Sequence, residues 1–179
     1  KHGVNPVEYG NFSIDTAKAI HEVSSGATVI GGAVCSPANL GFITQALATG
    51  MGAEIDAFSF HEYTPDETRL FEHVPALRAL CHKFNPDMKI IQGESGSQSR
   101  SDGCGALAGC AWTPERQAKQ CVRHAIADLI TEVEFTSYFS CMDMIEALNG
   151  KVGDLSSYLD YGYFGILGAD FDENGFASG

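Results

Sequence analysis

Short apolar runs rich in β-branched residues alternate with stretches of helical periodicity along most of this chain. That alternation limits its fold more than any single motif does. Asn11 to Val23 places Phe12, Ile14, Ala17, Ile20 and Val23 at helix-like spacing, and Ser24-Ser25-Gly26 ends the pattern. Ala27 to Ala33 follows as a short strand, and Pro37 opens a second helical stretch through Leu40, Ile43 and Leu47. Ile55 to His61 reads as the second strand. A third helix is expected over about 66–84, with Phe71, Val74, Leu77 and Leu80 on one face and Pro75 kinking or splitting it. Lys89 to Glu94 is the third strand, and Glu134 to Ser140 the fourth. Between those two strands lies a Gly/Ser-rich loop, then a helix with Thr113 as N-cap, Pro114 at its first position and Glu115 suited to the dipole. Ala118, Cys121, Val122, Ala125, Ile126, Leu129 and Ile130 form its single apolar stripe, which we expect to pack inward.

Strand-helix repeats of this kind predict an α/β fold with a parallel sheet covered by helices. Two closures fit, a doubly wound open sheet or a (β/α)8 TIM barrel. A barrel takes roughly 250 residues, so the 179 residues here would hold about half of one. No internal repeat or linker divides the chain.

Composition removes several function classes. The formal net charge is −12 with no cluster of Lys or Arg, a surface that repels phosphate backbones, so no nucleic acid partner is expected. No run approaches the ~20 apolar residues that span a bilayer, so no membrane partner is expected. The opening Lys1-His2-Gly3 carries no signal peptide, which a processed secreted protein would also lack, so localisation stays open. G-x-G-x-x-G, Walker and H-E-x-x-H motifs are absent, and the six cysteines show no zinc-ligand spacing, so neither a cofactor nor a metal is expected. Cys81, Cys121 and Cys141 sit in apolar patterns and are expected to be buried free thiols, while Cys104 and Cys110 share the Gly-rich loop at a spacing that allows a disulfide. Asp170 to Gly175 matches the first half of a calcium loop, but an Asn-Gly turn is the simpler reading. Gly93 to Ser97 approaches the serine-hydrolase elbow without its final glycine.

In parallel α/β folds, reactive groups gather at the C-terminal ends of strands. Here those ends carry His61, Glu62 and Tyr63 on the second strand, Glu94 on the third and Tyr138 near the end of the fourth. Glu94 follows an apolar run and precedes a long loop. Alone, it is either a solvated loop-entry carboxylate or a reactive one at the mouth of the fold.

The segments Ile55 to Tyr63 and Ile90 to Gly96 resemble strands six and seven of the large clan of retaining glycoside hydrolases. Thr113 to Ala118 is similar to the start of the next helix in xylosidase- and arabinofuranosidase-like members. Tyr163 to Leu167, with Asp170 to Gly175 after it, resembles the stretch following strand eight, and Asn5 to Tyr9 the start of helix four. The resemblance covers nearly the whole chain and rests on the order and spacing of these segments. It implies that residues 1–179 form the C-terminal half of a glycosidase catalytic barrel, spanning roughly strands five to eight. Glu94 would then be the nucleophile, Tyr63 its hydrogen-bond donor, and His61 a lining residue of the sugar subsite. Tyr138, and Trp112 at the end of the loop, would contact the carbohydrate substrate; Trp112 packed onto the following helix is the other reading.

Two departures from the clan pattern shape the expectation. The acid/base Glu of this clan follows an Asn at the end of strand four, and no Asn-Glu pair occurs in the sequence. Hydrolysis by this chain alone is therefore not expected, and a missing N-terminal half-barrel or a homodimer partner is. Many relatives also place a Trp in strand eight, where this chain has Tyr138 and Phe139. A non-catalytic α/β domain that binds sugar or another small ligand is the alternative.

Overall fold

The computed structural model describes residues 3–103, 105–147, 158–168, 170–171 and 177–178. Helix α1 (Pro6–Val23) leads into β1 (Ile30–Val34), and α2 (Leu40–Ala46) continues through a π turn (Leu47–Met51) into the short α3 (Gly52–Glu54). Strand β2 (Ala57–His61) is followed by a 3-10 turn (Glu67–Arg69), α4 (Leu70–Cys81), β3 (Lys89–Ser95), α5 (Pro114–Ile130) and β4 (Phe135–Tyr138). Two antiparallel pairs come after it: β5 (Met144–Ala147) with β6 (Tyr158–Gly162), which the sequence pattern did not reveal, and β7 (Asp170–Phe171) with β8 (Ala177–Ser178), where the Asn-Gly signal points to a turn. Four parallel strands form one sheet in the order β1-β2-β3-β4. The expected α/β class therefore holds, with small antiparallel additions.

Local chemistry explains the element ends. The Asn5 side chain accepts from the backbone N–H of Val7 and Glu8 at 2.9 and 3.3 Å, and Pro6 occupies the first turn, so α1 begins there and not at Asn11. Pro37 lies in the turn before α2, which starts only at Leu40. Pro75 sits inside a single helix α4 and does not split it. In β1, Gly32 has φ +95°, and a Cβ there would stand 2.4 Å from the Ser59 carbonyl oxygen; only glycine fits.

The chain divides into two compact units. The first comprises Lys1–Glu62, Thr68–Gly93 and Ala127–Thr136. Its core is apolar, built on Ile43, Leu47, Met51, Phe58, Phe60, Leu70, Leu77 and Ile90. Phe71, expected on the buried face of α4, is exposed, and so are Phe12 and Val23 of α1. The second unit comprises Tyr63–Glu67, Glu94–Ile126 and Ser137–Gly179.

Helix α5 reverses the expectation from its periodicity. Its buried residues are Gln117, Gln120, His124, Ala127 and Asp128, whereas Ala118, Val122, Ala125, Ile126, Leu129 and Ile130 are exposed and Cys121 is half-buried. The stripe was read correctly and its direction was not. Cys81 is a buried free thiol as expected, but Cys141 is exposed, because it follows the end of β4. Cys104 and most of the Asp170 to Gly175 turn lie outside the described residues, and the disulfide and calcium questions lie there with them.

Candidate active site

The second unit holds Glu94 at the end of β3, followed by the loop that runs to α5. Strand β3 buries Ile90, Ile91 and Gln92 in succession, and toward its end Gly93 and Glu94 are half-buried. Tyr63, just beyond the end of β2, donates its hydroxyl hydrogen to Glu94 Oε1 at 2.5 Å. Burial first, then this hydrogen bond and the charge of Glu94, raise the Tyr63 hydroxyl far above the ordinary tyrosine range. The hydroxyl therefore stays protonated and acts only as a donor to the carboxylate.

Tyr138 is close enough to add to that shift, so Tyr63, Glu94 and Tyr138 share one neighbourhood. Its own hydroxyl stands 3.5 Å from Ser97 Oγ. Burial raises the Tyr138 pKa, and hydrogen bonds with Ser97 and Gln117 partly oppose that rise. An aromatic hub completes the surroundings. The Phe164 ring, buried, meets Tyr63 edge-on at 5.9 Å and Phe139 at 5.7 Å.

Amides hold the loops of this unit in place. The Gln117 side-chain NH2, reaching from α5, donates to the carbonyl oxygens of Ser97 (2.9 Å), Gly165 (3.2 Å) and Tyr163 (3.3 Å). Ser99 N–H donates to Tyr163 O at 2.8 Å, Gly165 N–H to Asp143 Oδ1 at 2.8 Å, and the Gln98 amide to Ala106 O at 2.7 Å. Gly96 approaches β4 so closely that a Cβ would stand 2.1 Å from the Phe139 carbonyl oxygen. A pair of loop segments distant in sequence is thereby fixed beside Glu94 by side chains that no local pattern marks as functional. Gln117, Ser97 and Phe164 were all missed from the sequence. Only the strand-end position of Glu94 was visible in the residues themselves, and Tyr63 entered through the resemblance.

The other two expected site residues have different settings. Trp112 is buried, with its indole N–H donating to Leu107 O at 3.2 Å and the Arg116 guanidinium over its ring at 4.5 Å. Its face and its polar atom are both in use. His61 ends β2 in the first unit, half-buried, where a Cβ on Gly93 would come within 3.1 Å of its Nε2. Its neighbour Glu62 turns the opposite way, is buried, and lies within 3.5–3.8 Å of Ser36, His73 and Arg69. Among the described residues no cluster of His, Cys, Asp and Glu could hold a metal ion, and no helix is long and apolar enough to cross a membrane.

No family model and no curated protein matches the chain. Solved structures do. The chain is similar in fold to an active-site mutant of Rhizomucor miehei β-1,3-glucanosyltransferase in complex with laminaritriose, with TM-score 0.54 and 13% identity. That match covers 93% of this chain and 55% of the other. An endo-laminarinase from Formosa Hel1_33_131 gives TM-score 0.55 and 16% identity over 95% of this chain and 51% of that one. An FMN-binding β-glucuronidase from Facaelibacterium prausnitzii L2-6 gives 0.56 and 14% over 94% and 24%. These neighbours are glycoside-hydrolase-type enzymes with TIM-barrel folds, and the likeness is one of fold. The chain spans about half the length of two of them and about a quarter of the third.

Proposed function

We propose that this chain forms part of the catalytic barrel of a retaining O-glycosidase, with Glu94 as its nucleophile. The observation that carries the reading is the Tyr63 hydroxyl, kept protonated and donating to Glu94 at 2.5 Å. A nucleophilic carboxylate must stay ionised, and a committed donor favours the ionised form. It must also be held in one orientation, which a hydrogen bond from a half-buried phenol provides.

In the proposed reaction Glu94 attacks the anomeric carbon of the substrate while an acid protonates the leaving oxygen, giving a glycosyl-enzyme ester. Water then releases the sugar as the second carboxylate takes its proton. That second carboxylate, which in such enzymes stands ~5–5.5 Å from the nucleophile, is assigned to a segment outside these 179 residues. The substrate class is a neutral oligosaccharide or polysaccharide, in keeping with the net charge of −12. Tyr138 is the proposed sugar-contacting residue on this unit; Trp112, enclosed by Leu107 and Arg116, is assigned to shaping the loop.

Aryl-glycoside hydrolysis tests the proposal in three proteins: this chain, an N-terminally extended polypeptide, and the extended Glu94→Gln variant. Activity is expected only in the extended wild type, and Glu94→Gln should lower kcat by about three orders of magnitude or more. An extended Glu94→Gln protein that still turns over would sink the assignment. Inactivity of the extended wild type on every aryl glycoside would favour a sugar-binding domain instead.

A further inference from the structure

The segment Tyr63–Glu67 follows the end of β2 and carries the Tyr63 hydroxyl that meets Glu94, and α5 grips it near both ends. Gln120, 1% exposed, donates from its side-chain Nε2 to the carbonyl oxygen of Thr64 at 3.2 Å, one residue beyond Tyr63. Arg123, three residues along the helix and so its neighbour on the surface of α5, pairs its Nε with Glu67 Oε1 at the far end of the segment. Between these two grips Thr64 closes a tight turn. Its buried hydroxyl donates to Asp66 O at 3.0 Å and accepts from Asp66 N–H at 3.1 Å. All of these residues belong to the second unit.

The Gln120 amide has one working orientation. Its Nε2 also lies 3.2 Å from Nδ1 of His124, one turn along the helix and buried with it. An amide nitrogen can only donate, so Nδ1 accepts and the neutral ring carries its proton on Nε2. Burial lowers the His124 pKa to about 4, which keeps the ring neutral, and Nδ1 an acceptor, at neutral pH. Turning the amide over would set Oε1 against two acceptors, the Thr64 carbonyl and Nδ1. Both amide hydrogens are therefore committed, while the buried Oε1 has no hydrogen-bond partner among the described residues. From this we infer that Gln120, oriented by His124, is a positioning residue: by holding the Thr64 carbonyl it sets the backbone from which the Tyr63 phenol reaches Glu94. The Phe164 ring meets the same phenol edge-on at 5.9 Å, so ring and backbone are held by different residues. The inference rests on the reading of Glu94 as a nucleophile, and deepens it by naming what holds its hydrogen-bond donor in place.

Proton NMR of the 179-residue chain in water tests it without calling on hydrolysis. The Tyr63 hydroxyl resonance is identified by its loss in Tyr63→Phe, and circular dichroism verifies the fold of each variant. In the wild type this proton is expected far downfield and in slow exchange with water, as a short bond to a carboxylate requires. Gln120→Leu fills the site without a donor, and should move the resonance upfield and speed its exchange at least about tenfold. Gln120→Asn keeps the amide but shortens its reach, and as the milder change should shift the resonance the same way by less. Ile43→Val, a loss of core volume in the first unit, should leave it in place. A resonance present in the wild type and unmoved in the folded Gln120 variants overturns the inference alone, and so does an equal shift in Ile43→Val, which would mark general loosening. A wild type without the resonance removes the Tyr63–Glu94 bond itself, and overturns the inference together with the reading it rests on.

Discussion

The two compact units of this chain are held together by different physics. In the first, Phe58, Phe60, Ile43, Leu47, Met51, Leu70 and Leu77 are sealed from solvent, and stability follows the apolar area they remove from water. In the second, Ser95, Ser97, Gln98, Gln117, Gln120 and His124 are buried, with Trp112 and Phe164 as its buried large apolar side chains among the described residues. An apolar core is tolerant of detail, because dispersion and hydrophobic contacts are non-directional. A polar interior has to satisfy every donor and acceptor by direction, and its failures are costly. The difference teaches where chemistry can be placed: the unit that invests in directed hydrogen bonds is the one that carries Glu94, where loops must be fixed to within a fraction of an ångström.

Two substitutions sharpen this contrast, the larger first. Phe58→Ala empties a fully enclosed site and should destabilise the chain by about 3–5 kcal/mol in urea unfolding. Gln117→Leu keeps the volume but removes the donor to the Ser97, Tyr163 and Gly165 carbonyls, and should cost about 2–3 kcal/mol. A leucine at position 117 that leaves the urea midpoint unchanged would break the comparison, since it would mean that the amide links do not hold the second unit.

The contrast also explains what could be read from the chain. In the first unit, β-branched runs and helical spacing respond to the same apolar core they pack against, so β1, β2, β3 and α4 emerged close to their observed bounds. The cap of α5 was visible as well, and Arg116 N–H does donate to Thr113 Oγ1 at 3.2 Å. Periodicity, however, fixes only that a stripe exists. On α5 the apolar stripe faces outward and Gln117, Gln120, His124 and Asp128 face in, which the spacing of apolar residues does not signal. Gln117 reaches carbonyls 20 to 48 positions away, and Phe164 meets Tyr63 across a hundred residues of chain. Such long-range directed contacts leave no local trace. Glu94 was legible because a strand end is local, whereas the role of Tyr63 came only with the resemblance.

The smallest net effect should come from pH, where two groups one turn apart on α5 act in opposite directions. Burial pushes His124 down to about 4, against a weaker upward pull from Glu67. Burial pushes Asp128 up to about 6, with the Thr136 hydrogen bond opposing it. For His124 the folded pKa lies below the unfolded value of about 6.5. Its contribution is therefore fully present above pH 6.5 and is lost as pH falls toward 4, by about 3 kcal/mol. For Asp128 the folded pKa lies above the unfolded value of about 3.9. The folded chain takes up the proton first, and stability rises by about 3 kcal/mol as pH falls from 6 toward 4. The two slopes have opposite signs over nearly the same window, so they oppose each other in the wild type. Urea midpoints measured from pH 6.5 to 4 on single variants separate them. Relative to wild type, His124→Gln should gain stability on acidification, because only the Asp128 slope remains, and Asp128→Asn should lose it. Parallel profiles for both variants and the wild type would show that neither group is buried as described, and that the inner face of α5 is not polar in the way its two buried titratable groups imply.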